Sequence, residues 1–342
     1  MARKRVTMQD IADACGLSRN TVSKIFNERG TVSEATRKKI TKAAQELGYF
    51  QFLEEKTSKP GTHSQNIALL THSKPMNHNF GSSFIINFTD QLCRAGYTLK
   101  MYEISTEELT QKKLPPHLML ENTVGILGIE LFDRDYLHMI CGLGLPTIFV
   151  DGYAHVNSSL LCCDLISMEN IASIIALTER LIASGAKRIG FVGDINHCNS
   201  FYERWIGFCT ALGSAGLPLD HSLCILAKDE EPYGDVDWLF ARLEEMPSIP
   251  DAFVCANDFL AIHLMAALKK KGLSIPADVM VTGFDGSPES AVVEPPLTTV
   301  QIPSADIGRL AADILLDRIQ NPDRPFRFTY VKTIPVWRDS IR

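Results

Sequence analysis

The sequence of 342 residues lacks any apolar run of the roughly 20 residues that a helix needs to cross a bilayer. It also lacks an apolar stretch near its start, where Met1 to Arg5 are followed by polar sequence, so no secretory signal is predicted. These two absences argue against membrane-spanning and secreted proteins and predict a cytoplasmic one. The length exceeds that of a typical single domain, so two or three domains are expected.

Cysteine pairs with metal-binding spacing are missing as well. The count of nine is odd, no Cys-x-x-Cys occurs, and most of the cysteines lie inside apolar runs. This pattern predicts reduced, buried thiols and neither a disulfide framework nor a metal site. The nine residues are Cys15, Cys93, Cys141, Cys162, Cys163, Cys198, Cys209, Cys224 and Cys255.

Sequence motifs of common enzymes are also missing. No glycine-rich phosphate loop follows a predicted strand, and neither Gly-x-Ser-x-Gly nor His-Glu-x-x-His occurs. Acidic pairs occur only where they suit binding. The chain is therefore predicted not to be an enzyme, and no cofactor is expected.

Charge is distributed unevenly along the chain. Residues 1–49 carry a net charge of +5, whereas the remainder carries −11. A small basic head on a large acidic body predicts that any nucleic-acid binding is confined to the head, because the body is repelled by phosphates.

Two short helices joined by a tight turn are predicted near the start of the chain. Gly16 suits the positive φ of a helix C-terminus, and Ser18 is a plausible N-cap of the second helix. That helix would present Arg19, Asn20 and Lys24 outward, which suits a DNA major groove. The predicted inner face consists of Ile11, Ala12, Leu17, Val22, Ile25 and Phe26.

A third helix is predicted over 33–47, with Ser33 as its N-cap and Gly48 after its end. Its apolar positions follow the i, i+3, i+4, i+7 spacing of one helix face and complete a three-helix core. A generic basic three-helix bundle is the alternative interpretation. The apolar positions are Ile40, Ala43, Ala44 and Leu47.

Four motifs of the head together resemble the DNA-binding head of the lactose-repressor (LacI) family of bacterial transcription regulators. They are Thr7-x-x-Asp10-Ile-Ala, Gly16-x-Ser18-x-x-Thr21-Val-Ser23-Lys-x-x-Asn27, Val32-Ser33-x-x-Thr36-Arg and Leu47-Gly-Tyr49. The resemblance implies double-stranded operator DNA as the partner.

The same resemblance assigns DNA contacts residue by residue. Arg19 matches a base reader suited to guanine and Asn20 one suited to adenine, with Lys24 as a further reader. Hydroxyl, amide and phenol groups would contact the phosphate backbone, although each hydroxyl has the alternative role of a helix cap. These backbone residues are Thr7, Ser18, Thr21, Ser23, Asn27, Thr36 and Tyr49.

Residues 50–65 form a predicted linker that departs from the family. The family continues with x-Pro-Asn-x-x-Ala-Arg-x-Leu, a hinge helix whose leucine wedges into the minor groove. This chain has Gln51 and Phe52 at the Pro-Asn positions, Glu55 at the alanine and Ser58 at the leucine. An atypical hinge with little operator bending is therefore expected; Phe52 or Leu53 in a shifted frame is the alternative wedge.

The body, residues 66–342, alternates apolar strands with helical patterns, which predicts βαβ units, a parallel sheet and two lobes. Strands are predicted at 66–71, 98–102, 124–129, 147–150, 188–192, 223–226, 252–256 and 279–283. Helices are predicted at 84–95, 136–143, 171–184, 204–215, 237–245 and 260–271, with passage to the second lobe near 160–164.

Ligands of open parallel sheets bind outside the carboxyl ends of the strands, so polar residues just after each strand are candidates. In this body they are His72, Ser73, Glu130, Asp151, Asp194 to Asn199, Glu230, Asn257, Asp258 and Asp285.

The body also resembles the effector domain of the LacI family, which has the fold of type I periplasmic binding proteins. The motifs are Arg188-Ile-Gly-Phe-Val-Gly193, Glu203-Arg-x-x-Gly207-Phe, Ala256-Asn-Asp258, Gly283-Phe-Asp285 and Pro296-Leu-Thr-Thr-Val300. The resemblance implies a small effector bound by His72, Ser73, Phe80, Asp151, Arg204, Asn257 and Asp285. Acids opposed by an arginine suit a sugar-like polyol.

Structural roles remain alternatives for three of the acidic and basic residues. Asp258 suits an N-cap, Asp285 suits a turn cap, and Arg204 suits a salt bridge between lobes. The family often has an aromatic platform near 230, where this chain offers Glu230 and the nearby Tyr233.

The resulting prediction is an α/β protein with a helix-turn-helix head (1–49), an atypical linker (50–65) and a two-lobed effector domain (66–342). Its predicted function is a ligand-responsive repressor of a carbohydrate-related operon, acting as a homodimer because paired heads match paired half-sites. A binding protein whose head contacts something other than DNA, and an activator, are the alternatives.

Overall fold

The structure is a computed structural model that describes residues 8–19, 21–22, 36, 39–40, 43, 65–72, 79–157 and 160–342. The chain divides into two compact units, Met1–Ser64 and Gln65–Arg342. The predicted linker, apart from its last residue, lies outside the described residues.

The first unit begins with helix α1 (Met8–Cys15). It ends at Gly16, whose φ of 61° is the left-handed conformation that glycine adopts without steric cost. The described positions of the predicted third helix, such as Lys39 and Ile40, are helical. A small core joins the helices and consists of Ile11, Ala12, Cys15, Val22 and Ile40.

The second unit alternates strands and helices along most of its length. In chain order its elements are β1 (Asn66–Thr71), α2 (Asn79–Arg94), β2 (Thr98–Glu103), α3 (Thr106–Gln111), β3 (Thr123–Ile129), α4 (Arg134–Cys141), β4 (Thr147–Val150), β5 (Asp164–Met168), α5 (Ile171–Ala183), β6 (Ile189–Val192), α6 (Asn199–Ser214), α7 (Val236–Glu245), β7 (Ala252–Cys255), α8 (Asp258–Lys270), β8 (Met280–Thr282), α9 (Pro288–Val292), β9 (Thr299–Gln301), α10 (Ser304–Gln320), β10 (Phe328–Val331) and β11 (Ile334–Val336).

Lobe 1 is built on a parallel six-stranded sheet of order β10-β5-β4-β3-β1-β2. Strands β1, β4 and β5 are buried along their whole length, as expected for parallel strands covered on both faces. The strand order reverses between β1 and β3, so the crevice at their carboxyl ends is a topological switch point.

Lobe 2 is built on the parallel sheet β6-β7-β8, to which β9 and β11 are added. Single bridges join Val192 to Ile225 and Thr282 to Thr298 at the two edges. These observations confirm the predicted α/β class with parallel sheets.

The chain crosses between the lobes at 169–170, 302–303 and 332–333, because α10 and β10 return to lobe 1. The first and third crossings are hydrogen-bonded to each other. Thr333 Oγ1 lies 2.8 Å from Glu169 O and 2.7 Å from Ser173 Oγ. This bonding makes the crossings a compact hinge region.

Helix α10 packs closely on α2. A Cβ placed on Gly308 would lie 2.4 Å from Phe84 O, so only glycine permits this backbone approach. Below the two helices, the apolar face of the sheet forms a core that is continuous with that of lobe 2.

Several boundaries differ from the sequence-based prediction. Residues 160–164 do not lead into the second lobe, because β5 still pairs with β4 and the crossing follows Met168. The strand predicted at 223–226 is reduced to the bridge at Ile225, since a 3₁₀ turn occupies His221–Leu223. Residues 299–336 contain one helix, α10, and three short strands that the sequence patterns did not reveal.

The thiols also differ in part from the prediction. All nine cysteines are free, but Cys93 and Cys162 are exposed, and only four are fully buried. Cys93 is exposed because it lies on the outer face of the amphipathic helix α2. Among the described residues, no helix has the length and hydrophobicity to cross a bilayer.

Candidate functional site

The described part of the head contains the turn and the start of the second helix. Thr21 N donates to Ser18 Oγ at 3.1 Å, and the two hydroxyls lie 2.8 Å apart. Ser18 is therefore the N-cap that the sequence predicted. Arg19 follows it with an exposed side chain in the first turn of the helix.

Most of the other predicted DNA contacts lie outside the described residues. Thr36 is described and is half-buried in a helix. The roles of the remaining candidates stay predictions, because these residues lie outside the described part of the chain: Thr7, Asn20, Ser23, Lys24, Asn27 and Tyr49.

In the second unit, three acidic residues stand just after the carboxyl ends of strands and share an unusual backbone conformation. Glu130 follows β3 with a φ of 51°, Asp151 follows β4 with a φ of 62°, and Asp285 follows β8 with a φ of 116°. Non-glycine residues with positive φ are uncommon and cluster at functional sites. The shared conformation marks the interlobe cleft as the candidate site.

Arg204 on α6 is the cation of this cleft, and its side chain is 3% exposed. Its Nε donates to Asn170 Oδ1 at 3.0 Å, and its Nη1 donates to Ala256 O at 2.6 Å. The guanidinium carbon lies 3.7 Å from the ring centre of Phe284, within the range of a cation–π contact. Its Nη1 also lies 3.6 Å from Asp285 Oδ1. Arg204 thus joins the first crossing to the ends of β7 and β8.

The Asp285 carboxyl has no hydrogen-bond donor among the described residues, and Arg204 is its ion-pair partner. Burial raises its pKa to about 7; the charge of Arg204 acts in the opposite direction, and the charges of Asp258 and Glu130 add to the increase. The sequence suggested a turn cap as the alternative role of Asp285. A cap accepts a hydrogen bond, and no described residue donates one to this side chain.

Asp151 has a different environment, because it caps a helix of the other lobe. Both of its carboxylate oxygens lie 3.2 Å from Ser200 N, in the first turn of α6. The residue at the N-cap position itself, Cys198, makes no side-chain cap. Burial raises the pKa of Asp151, while the bonds from Ser200 act in the opposite direction. Asp151 thereby links the lobes.

Glu203 and Asn170 form a buried network beside Arg204. Asn170 Nδ2 lies 2.7 Å from Glu203 Oε2, and Asn199 Nδ2 lies 2.9 Å from Glu203 Oε1. Tyr330 on β10 donates its hydroxyl to the same carboxylate. The network satisfies Glu203 and holds α6 against lobe 1.

Two neighbouring residues have bonds that differ from those the sequence suggested. Asn257, predicted to contact an effector, is the N-cap of α8, because its Oδ1 accepts from Leu260 N at 2.9 Å. Asp258, for which an N-cap role was the structural alternative, lies one residue further on. It accepts from Ser287 N at 2.7 Å and from Thr299 Oγ1.

The other predicted contacts fall on the lobe 1 side. His72 follows β1, and its Nδ1 donates to Ile104 O at 2.8 Å. Phe80 is placed in α2 by its backbone, and Ser73 lies outside the described residues. Tyr233, near the expected aromatic platform, is buried in the core with its hydroxyl 2.8 Å from Ala227 O, so it offers no such platform.

A cavity of about 560 Å³ opens beside Asp285. It lies between α2 and the segments 286–288 and 301–306, and its lining includes Ser82, Asn87, Gln301 and Asp306. Sequence analysis missed Gln301 because β9 is only three residues long and its pattern is weak. It missed Ser82, Asn87 and Asp306 because they lie in helices α2 and α10 and not at the end of a strand. Gln301 ends β9, so the carboxyl-end rule would have found it once the strand was known. Among the described residues, no cluster of His, Cys, Asp or Glu is arranged to hold a metal ion.

Comparisons with known proteins agree with this architecture. Residues 7–51 match the family described as bacterial regulatory proteins, lacI family, and residues 178–341 match a periplasmic binding protein-like domain. The chain therefore combines a DNA-binding domain of the lacI family with a periplasmic binding protein-like domain.

Individual relatives span more than nine tenths of the chain. The HTH-type transcriptional repressor PurR of Actinobacillus pleuropneumoniae serotype 3 (strain JL03) is 28% identical over 98% of both chains. The HTH-type transcriptional regulator CelR of Thermobifida fusca is 27% identical over 93% of both chains. These relatives are regulators, which confirms the prediction of a transcriptional regulator and not an enzyme.

Solved structures share the fold. A lac repressor dimer bound to operator and the anti-inducer ONPF superposes with a TM-score of 0.78 at 23% identity, covering 98% of this chain and 99% of that one. A complex of the transcriptional regulator CelR with cellobiose gives a TM-score of 0.72 at 25% identity, covering 98% of this chain and 100% of that one.

Proposed function

We propose that this chain is a ligand-responsive repressor that binds operator DNA as a homodimer and controls a carbohydrate-related operon. The observation that carries the proposal is the pairing of a helix-turn-helix head with a two-lobed cleft in one chain. Since its target is DNA, the cytoplasm is its proposed location.

The proposed DNA contacts are those assigned above, with Arg19, Asn20 and Lys24 reading bases. The capped turn and the exposed position of Arg19 support this assignment. The contacts from Ser18 and Thr21 to phosphates would add to their mutual hydrogen bond, because each hydroxyl retains a lone pair.

The proposed effector site is the cleft, with Asp285 and Arg204 at its centre and His72, Ser73, Phe80, Asp151 and Asn257 around it. The relatives provide the class of ligand: one solved regulator holds cellobiose, and one from Enterococcus faecium holds ribose. Since the crossings form a hinge, a ligand that binds one lobe arrangement more tightly would change the spacing of the two heads.

The function as a whole is tested by a gel shift of the full chain on DNA from upstream of its own gene, combined with a thermal-shift screen of sugars, sugar phosphates and nucleosides. A specific shift that a stabilising ligand strengthens or abolishes is expected. Binding of a ligand without any specific DNA shift would instead support the alternative of a binding protein without an operator.

Arg19→Ala is expected to relax sequence preference at one base pair of the operator. A bidentate arginine–guanine contact contributes about 1–3 kcal/mol of discrimination, which is lost when the guanidinium is removed. Selection from a randomised operator library measures the preference directly.

Lys39→Ala is the matched control, because Lys39 is an exposed cation of the same head. Removing its charge should weaken binding to all sequences alike and leave the preference intact. An unchanged preference in the Arg19 variant would refute its role as a base reader.

A further inference from the structure

The side chains of Glu203 and Arg204, which are neighbours on α6, are joined through the amide of a third residue. Asn170 Nδ2 donates to Glu203 Oε2 at 2.7 Å, and Asn170 Oδ1 accepts from Arg204 Nε at 3.0 Å. All three residues are buried. The amide of Asn170 therefore connects a buried anion to the cation at the centre of the proposed effector site.

The orientation of the Asn170 amide is fixed by its acceptors. Its Nδ2 donates to Met168 O at 2.9 Å as well as to Glu203. Turning the amide over would place its oxygen against two acceptors and its NH₂ group against the Nε–H of Arg204. Because an ionised carboxylate only accepts hydrogen bonds, Glu203 selects the orientation that gives Arg204 its acceptor.

Glu203 is itself held by donors from both lobes. Asn199 Nδ2 on α6 donates to Glu203 Oε1 at 2.9 Å, and the hydroxyl of Tyr330 on β10 donates to the same oxygen. Burial raises the pKa of Glu203, whereas the bonds from Tyr330, Asn170 and Asn199 act in the opposite direction. These donors offset part of the cost of burying the carboxylate and fix its position.

The network also explains why a carboxylate stands at this position. Both oxygens of Glu203 face donors, so each must accept. A glutamine would replace one of the oxygens by a donor and leave at least one neighbouring group unsatisfied, which is costly in a buried site.

The guanidinium of Arg204 is restrained in every direction except towards a ligand. The rings of Phe284 and Phe201 lie 3.7 Å and 5.6 Å from its carbon and limit tilting. The bonds to Asn170 and Ala256 fix its rotation within the plane. Among the described residues, none accepts a hydrogen bond from Nη2, so this nitrogen is available to donate to an effector.

We propose that Glu203 is a positioning residue of the effector site, which acts through Asn170 to hold the guanidinium of Arg204 in the orientation that a ligand meets. The proposal rests on the proposed function, in which Arg204 contacts the effector. The geometry of the site then depends on a carboxylate that does not itself contact the ligand.

The test follows Arg204 directly by nuclear magnetic resonance on the full chain with isotope-labelled arginine. The Nε–H signal of Arg204 is assigned by its loss in Arg204→Lys. Glu203→Met keeps an unbranched side chain of similar length and removes both oxygens. We expect the Nε–H of Arg204 to exchange with water at least about tenfold faster in this variant, because the amide that accepts from it is no longer held.

Glu203→Gln keeps one of the two oxygens and is the milder variant, so it decides the question where Glu203→Met does not fold. Its exchange rate should lie between those of the parent and Glu203→Met. Glu179→Gln is the matched control, because Glu179 is exposed on the adjacent helix α5. Its Arg204 signal should equal that of the parent.

A double variant separates positioning from a purely structural role. If Glu203 acts through Asn170, the Arg204 signal of Asn170→Leu with Glu203→Met should equal that of Asn170→Leu alone, because the link is already broken. A purely structural role predicts a lower melting temperature with an unchanged Arg204 signal in both Glu203 variants. That result, or a further change of the signal in the double variant, would overturn the proposal.

A gel shift of the parent chain on DNA from upstream of its own gene distinguishes this proposal from the proposed function. If the Arg204 signal responds as expected but the DNA shows no specific shift, the proposed function fails and the positioning of Arg204 by Glu203 stands. If the shift is specific and the signal does not respond, the regulator stands and the positioning role is refuted.

Discussion

Replacing Arg204 with alanine is expected to destabilise the second unit by about 3–5 kcal/mol, because each buried acceptor left without its donor costs about 1–3 kcal/mol and the ion pair with Asp285 is lost as well. The substitution leaves Asn170 Oδ1 and Ala256 O without their donor and leaves Asp285 without its cation. It also removes the stacking partner of Phe284. Thermal unfolding of the full chain measures the effect, at roughly 2–4 °C for each kcal/mol in a domain of about this size.

The same variant should also lose its response to any effector, because Arg204 orients the residues at the ends of β7 and β8. Arg180→Ala is the control, since Arg180 is an exposed arginine on the adjacent helix α5. The free energy of unfolding of the Arg180→Ala variant should lie within about 0.5 kcal/mol of that of the parent. A stable Arg204→Ala protein without an effector response would show that Arg204 acts on the ligand alone and has no structural role.

Replacing Asp164 with alanine is expected to have a comparable effect, again about 3–5 kcal/mol. Asp164 is 0% exposed and accepts from Arg318 Nε at 2.9 Å and Nη2 at 3.1 Å. It also accepts from Arg327 N at 2.8 Å. Without Asp164, the buried guanidinium of Arg318 loses its anion. The segment that begins β10 also loses the hydrogen bond from Arg327 N to β5.

A second substitution shows how much of the lost stability is due to the unpaired charge of Arg318. Arg318→Met in the Asp164→Ala background removes the stranded charge and should restore part of the stability, as is common when both partners of a buried pair become apolar. Asp323→Ala is the control, because Asp323 is exposed in the same connection between α10 and β10. Equal melting temperatures for the parent and Asp164→Ala would refute the role of this ion pair.

The sequence predicted the elements whose patterns are local. Strands β1, β3 and β4 follow their predicted limits closely, because each is a continuous apolar run in a doubly covered parallel sheet. The turn at Gly16 and the cap at Ser18 were equally predictable, since a positive φ and an N-cap each select particular residue types.

Chain crossings were not predictable from such patterns. The passage after Met168, the return of α10 and the pairing of β10 with β5 bring together residues more than 150 positions apart. Strands of three residues such as β9 carry too little pattern to be recognised, so Gln301 was missed.

For the candidate site, the sequence by itself determined which acids and which arginine stand at strand ends, and the family motifs marked Arg204 and Asp285. The tertiary structure decided what each side chain does. It commits Asp151 to capping α6 and Asn257 to capping α8, and it sets the carboxyl of Asp285 beside Arg204, with no hydrogen-bond donor among the described residues. The reason is physical: a residue type limits the bonds a side chain can make, but only the packing of distant segments decides which partners reach it.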